Sequence, residues 1–201
     1  MKKILTVIAA ISALTLTACG QIDTAASFGE TKVTQAQAQS KVDEILAERA
    51  KIDTSQMQLQ TGNALNRSQL RFTIVTSIFN EIAKELKIKV SSAEIEKTRT
   101  GIYEQIGGEA QLSMNLVGAE IAPSNFEDYM RATVISNKLA GALAMAGVAE
   151  ADVQAKISEL VAKKAKEMKV SVNPRYGQWN EATAELLPED SAGDAIVPSS
   201  N

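Results

Sequence analysis

The chain has 201 residues, 45% of them hydrophobic and only 4% aromatic, with a net charge of −3. That length allows one domain with a core of its own plus tails, and the acidic balance argues against nucleic-acid binding, which needs a basic stripe to neutralise phosphates. With no histidine and a single cysteine, a Ser-His-Asp triad, a Cys-His pair, a His-ligated zinc and an internal disulfide are all excluded. So few aromatics require a core of Ala, Leu, Ile and Val, and that composition, with only four prolines, favours helices.

The chain opens "MKKILTVIAAISALTLTACG". Lys2 and Lys3 precede an uncharged, mostly apolar run from Ile4 to Ala18. The run is shorter than the roughly 20 residues that span a bilayer, and it ends in small residues, which is the pattern of a secretory signal. Leu16-Thr17-Ala18-Cys19 resembles a bacterial lipobox, Leu-small-small-Cys. The resemblance implies a diacylglyceryl group on the Cys19 sulfur, cleavage after Ala18, and an amino group then open to acylation by a palmitate-type chain. One acyl chain holds a protein to a membrane only marginally, whereas two or three anchor it stably. Cys19 is therefore expected to be a tether, neither nucleophile nor ligand. Loss of residues 1–18 removes two lysines and no acid, which moves the net charge from −3 to −5. The mature chain is expected outside the cytoplasmic membrane, lipid-anchored to its outer face or in the periplasm of a two-membrane cell. No P-loop pattern appears.

Residues 19–27 read as a lipidated tether, and "FGETKV" as a brief strand. Thr34 with Gln37 is a capping-box pattern before a helix over about 35–51 that carries Val42, Ile45 and Leu46 at helical spacing. Residues 52–66 lack periodicity and read as a loop. Leu70, Ile74, Ile78, Ile82 and Leu86 then recur every four residues, widened by Val75 and Phe79, so a helix with a buried face is expected over about 67–87. Ser91 with Glu94 opens another helix, which Gly107-Gly108 stops. A short helix ends at Gly118. Ser124 with Glu127 is a third capping-box pattern, before a helix to about Ala146, and a last helix covers about 149–169. "VSVNPRYGQW" reads as a strand that turns at Asn173-Pro174, and 181–201 as a disordered acidic tail. The expected fold is mainly α, with a two-stranded element pairing "FGETKV" with "KVSVN", since neither has another partner for its backbone groups.

This layout resembles the N-terminal helical module of SurA-type periplasmic chaperones, related to PrsA foldases and more distantly to trigger factor; the resemblance covers roughly residues 26–50 and 66–180, and the domain is expected to span 28–180. The carrying stretches are "ASFGETKVT", "LRFTIVTSIFNEIAKELKIKVSSAEIEK", "GGEAQLSMNLVGAEIAPSNFEDYMRATVISNKLA" and "VSVNPRYGQWN". Phe28-Gly29-Glu30 stands where the family has Val-Asn-Gly. Family members usually carry a parvulin isomerase domain before the closing helix. Here Leu143 reaches Val153 through only "AMAGVAEAD", so no isomerase activity is expected.

The resemblance implies a chaperone-like holdase for unfolded or secreted polypeptides, with no cofactor and no enzymatic step. Flexible methionines suit such a surface. The candidate client-binding residues are Met57, Met114, Leu116, Phe126, Tyr129, Met130 and Met145, with core packing the competing role for Phe126 and Met130. The alternative is a structural or assembly lipoprotein that binds one envelope partner, which the low aromatic content favours. The carboxylate pairs Glu44/Glu48 and Glu81/Glu85 could serve a metal or acid–base chemistry, but nearby Lys41, Lys51, Lys84 and Lys87 point to surface ion pairs. Lys163, Lys164, Lys166 and Lys169 could face anionic lipid or an acidic client, or simply the negative end of the last helix.

Overall fold

The computed structural model describes residues 23–188. The architecture is mainly α, with six α-helices and two small antiparallel sheets among those residues. Its centre is α2 (Gly62–Glu85), whose Leu70, Ile74, Ile78 and Ile82 are buried along one stripe, as the four-residue recurrence predicts. Leu86 falls beyond the helix and is exposed. Ile135 and Leu139 of α5 (Phe126–Met145) and Val153, Ile157 and Val161 of α6 (Glu150–Glu167) pack in the same core. A second cluster joins Ile95 of α3 (Ser92–Ile106) and Leu116 of α4 (Leu112–Gly118) to Phe126, Met130 and Val134 of α5. A third joins Val42 and Ile45 of α1 (Gln35–Arg49) to Leu65 and Ala122. That last contact explains why α2 begins at Gly62, inside the stretch expected to be loop: burying Leu65 rewards an extra turn that local sequence does not specify.

The β element is larger than expected. β1 (Thr24–Phe28) is the middle strand of a three-stranded sheet, with β2 (Thr31–Thr34) on one side and β3 (Ser171–Val172) on the other. "FGETKV" is therefore a hairpin turn and not one strand. Gly29 sits at φ 55°, a left-handed conformation that glycine adopts without steric cost. The predicted joining of the two ends holds, but its N-terminal partner is "TAASF", through Ala26 opposite Val172 and Ser27 opposite Ser171. The tether boundary at 27 is thus corrected, since Ala25 and Ala26 are fully buried. Their small side chains let a central strand lie close against α2, and small size alone does not mark a linker. Gly29 N–H donates to the Met168 carbonyl at 2.6 Å, and Asn173 N–H to the Ala25 carbonyl at 2.8 Å, which pins the end of α6 to the hairpin.

The second sheet is the hairpin of β4 (Gln178–Asn180) and β5 (Glu185–Leu187). It revises the tail assignment, because Ala184 and Leu186 are buried in the main core. Residues 189–201 lie outside the described part. Gly177 is needed where this hairpin meets α2: it has φ 119°, and a Cβ there would lie 2.0 Å from the Leu187 carbonyl oxygen.

Two of the three capping boxes form. The Thr34 and Ser91 side chains each accept from the N–H three residues on, while Gln37 and Glu94 reach back to the cap N–H groups. Glu94 also pairs with Lys138 of α5 at 2.6 Å. The hydrogen bond from Lys138, then those from the Ser91 backbone and hydroxyl, hold the Glu94 carboxyl down from 4.5 to about 2. A depressed carboxylate adds stability above its unfolded value and loses it as pH falls toward the folded one. The melting temperature is therefore expected to fall between pH 4.5 and 2, less steeply in Glu94→Gln, as thermal circular dichroism would show.

The third box does not form. Pro123–Asn125 makes a single 3-10 turn, and α5 starts at Phe126 without a side-chain cap. Ser124 instead turns its N–H and hydroxyl toward the Glu44 carboxylate of α1, and its hydroxyl oxygen accepts from Lys41. A long-range charge-assisted contact has displaced a local one.

Candidate functional site

α2 and α5 lie side by side. Arg131 Nε of α5 donates to Asn80 Oδ1 of α2 at 2.8 Å, and Lys138 Nζ of α5 donates to the carbonyl of Lys89, just past the end of α2, at 2.7 Å. Between them lies an open groove of about 480 Å³, within the size range of ligand-binding clefts. Phe72, Val75 and Phe79 of α2 and Ala132 of α5 form its apolar surface, all half-buried, with Ile121 at one end. Arg71, Tyr129, Thr133, Ser136 and Asn137 add a polar rim. Apolar walls with a hydrogen-bonding edge suit a polypeptide segment, which carries apolar side chains on a polar backbone.

The closed end is built from buried polar contacts. Glu120 has φ 56°, and its carbonyl oxygen accepts from Gln69 Nε2 at 2.7 Å. Its carboxylate takes Arg49 Nη2 at 3.2 Å and the Gln60 N–H, while Arg49 Nη1 donates to the Gln60 carbonyl at 2.7 Å. The Arg49 and Glu120 side chains are only 10% and 12% exposed. This knot ties the end of α1, the 50–61 loop and the turn after α4 to the groove.

The candidate client-binding residues scatter. Tyr129 alone among them lines the groove, and it is exposed. Met130 is 0% exposed, and with Leu116 and Phe126 it belongs to the second core cluster. All three are therefore core residues of α4 and α5, which matches the competing role for Phe126 and Met130 and corrects the assignment of Leu116. Met57 is half-buried in the 50–61 loop, away from the groove lining. Met114 is exposed on α4, and Met145, 87% exposed, ends α5. Neither lines the groove. The groove's own residues Val75 and Phe79 were visible only as a widening of the α2 stripe. Periodicity marks an apolar face but not which part of it a neighbour leaves uncovered.

Leu16, Thr17, Ala18 and Cys19 lie outside the described residues. Among those described, no helix is long and apolar enough to cross a membrane, and no group of three or more acids is placed to hold a metal ion. Glu44, Glu48 and Glu81 pair with Lys41, Lys51 and Lys84, and Glu85 with Lys164 of α6. Against burial, which would raise it, hydrogen bonds from Ser124 and Lys41 hold the Glu44 carboxyl below its ordinary value. The hydrogen bonds that Lys164 donates to Glu167 and then to Glu85 raise its ammonium above the ordinary value. These carboxylates sit in ion pairs, as expected for solvated helix faces. Lys164 and Lys163 of the basic cluster pair with Glu167, which dilutes that patch.

The fold and groove define a mainly helical domain whose N-terminal strand is clasped by the chain that follows its last helix. No family model, curated protein or solved structure matches the chain.

Proposed function

We propose that this protein is an extracytoplasmic lipoprotein, tethered through Cys19, that holds unfolded or secreted polypeptides in the α2–α5 groove. It uses no cofactor, acts on no covalent bond and has no isomerase step. The observation that carries this reading is the groove itself: Phe72, Val75 and Phe79 form an apolar strip open to solvent beside a polar rim. Burying one or two client side chains there yields about 1.5–3 kcal/mol each. Ordering costs of roughly 0.5–1.5 kcal/mol per side chain offset part of that. Binding is therefore weak and reversible, as a protein that must release clients without ATP requires. The lipid anchor would keep it at the membrane where secreted chains emerge.

The test is aggregation of several unrelated unfolded proteins with equimolar residues 20–201. Delay for most clients, lost in Val75→Asp with the melting temperature retained, is the expected result. No delay for any client, with one envelope protein recovered by crosslinking, is what the assembly-lipoprotein alternative requires. Catalysis of X-Pro isomerisation would contradict the proposal. Acyl labelling in cells tests the anchor: Cys19→Ser should lose both the label and membrane association.

A further inference from the structure

A second cavity of about 220 Å³ adjoins the groove on the other flank of the α2 turn Phe72–Thr76, and those two residues line both. The rest of its lining is polar, with Lys41, Asn80, Asn125 and Asp128 beside Thr73 and Ser77. The hydroxyls of Thr73, Thr76 and Ser77 donate to the carbonyls of Gln69, Phe72 and Thr73, so their oxygens face the cavity only as acceptors. Asn80 Oδ1 is taken by Arg131, which leaves its N–H groups as donors. Asn125 is 5% exposed, and its buried Nδ2 has no hydrogen-bond partner. A buried donor left unpaired is costly, and native proteins satisfy nearly all of them.

Charge narrows the ligand. Lys41 is balanced by Glu44 at 3.1 Å, and Asp128 has the Arg131 cation one turn along α5. A free anion would meet Asp128, and a free cation would meet Lys41. The fitting group is neutral and carries a carbonyl beside N–H bonds: the carbonyl accepts from Asn125 and Asn80, and the N–H donates to Asp128 and the hydroxyl oxygens.

We propose that this cavity takes a carboxamide, the asparagine or glutamine side chain of a client whose neighbouring apolar residue lies in the groove. The proposal rests on the groove reading above and adds a sequence preference to it. The two cavities flank the Phe72–Thr76 turn, and adjacent side chains of an extended segment point to opposite sides, so one strand-like client lying along that turn can place neighbouring residues in both cavities.

The test has two arms on the mature chain. In the first, acetamide is titrated while the Asn125 side-chain amide is followed by NMR, with acetate and ethylammonium as controls. A saturable shift with acetamide alone is expected. No shift overturns the proposal and leaves a resident water as the partner of Asn125. In the second arm, host peptides carrying Leu-Gln, Leu-Glu or Leu-Leu are compared. About a tenfold preference for Leu-Gln is expected, because a site built to hydrogen-bond discriminates against groups that leave it unpaired. Asn125→Ala should erase that preference without lowering the melting temperature. A purely structural role for Asn125 would instead lower the melting temperature and leave the ranking intact. If Leu-Leu binds, Val75→Asp abolishes it and acetamide leaves Asn125 unmoved, the groove reading stands and the carboxamide proposal falls. If acetamide moves Asn125 while no peptide binds, the carboxamide site stands without the groove.

Discussion

Glu120→Ala should cost about 3–5 kcal/mol, the usual result of removing one partner from a buried ion pair. The variant would leave the Arg49 guanidinium, 10% exposed in its side chain, with no carboxylate, and its Nε already lacks a partner. It also takes the acceptor from the Gln60 N–H, so the 50–61 loop loses its tie to the turn that closes the groove. Urea unfolding should report the lost stability. Hydrogen exchange should rise first in residues 50–61. The compensated pair Arg49→Met with Glu120→Leu should recover much of the loss, because the larger part of the penalty is an uncompensated charge and not a missing attraction. A Glu120→Ala chain as stable as the original would mean that water reaches Arg49 and that the groove's closed end is not a fixed feature.

Met130→Ala is the second large effect, expected to lower stability by about 2–5 kcal/mol through a core cavity. Met130 is fully buried among Ile95, Leu116, Phe126 and Val134, where α3, α4 and α5 meet. Met145→Ala, at an 87% exposed position, should change stability by no more than about 0.5 kcal/mol. Paired denaturant melts of the two variants separate the roles of residues that look alike in sequence. Holding of clients, measured well below the Met130→Ala melting temperature, should survive in both, because neither side chain lines the groove.

That contrast shows where one-dimensional reasoning stops. Met130 and Met145 both sit on α5, and nothing local to either says which one a neighbouring helix covers. Tertiary contact also decided three points of the fold. The small residues 24–27, with Phe28, became the central strand because α2 lies close beneath them. Ser124 left its capping box for Glu44, a residue 80 positions away. Residues 185–187 paired with 178–180 because Ala184 and Leu186 reach the main core. The groove belongs with these, since it is the part of the α2 face that α5 does not fill.

What the sequence by itself determined was whatever short-range physics controls. The four-residue recurrence placed the α2 core stripe, and the side chains of Thr34, Gln37, Ser91 and Glu94 satisfied the helix ends within three positions. Gly107, at φ 88°, ended α3 where a side chain would be strained. The pairing of a strand before α1 with one after α6 was also foreseeable, because strand backbones need partners. Which strand paired, which apolar residues were covered and where a groove was left required the assembled helices. Burial depends on neighbours brought together across the fold, and their positions are not encoded in any local stretch.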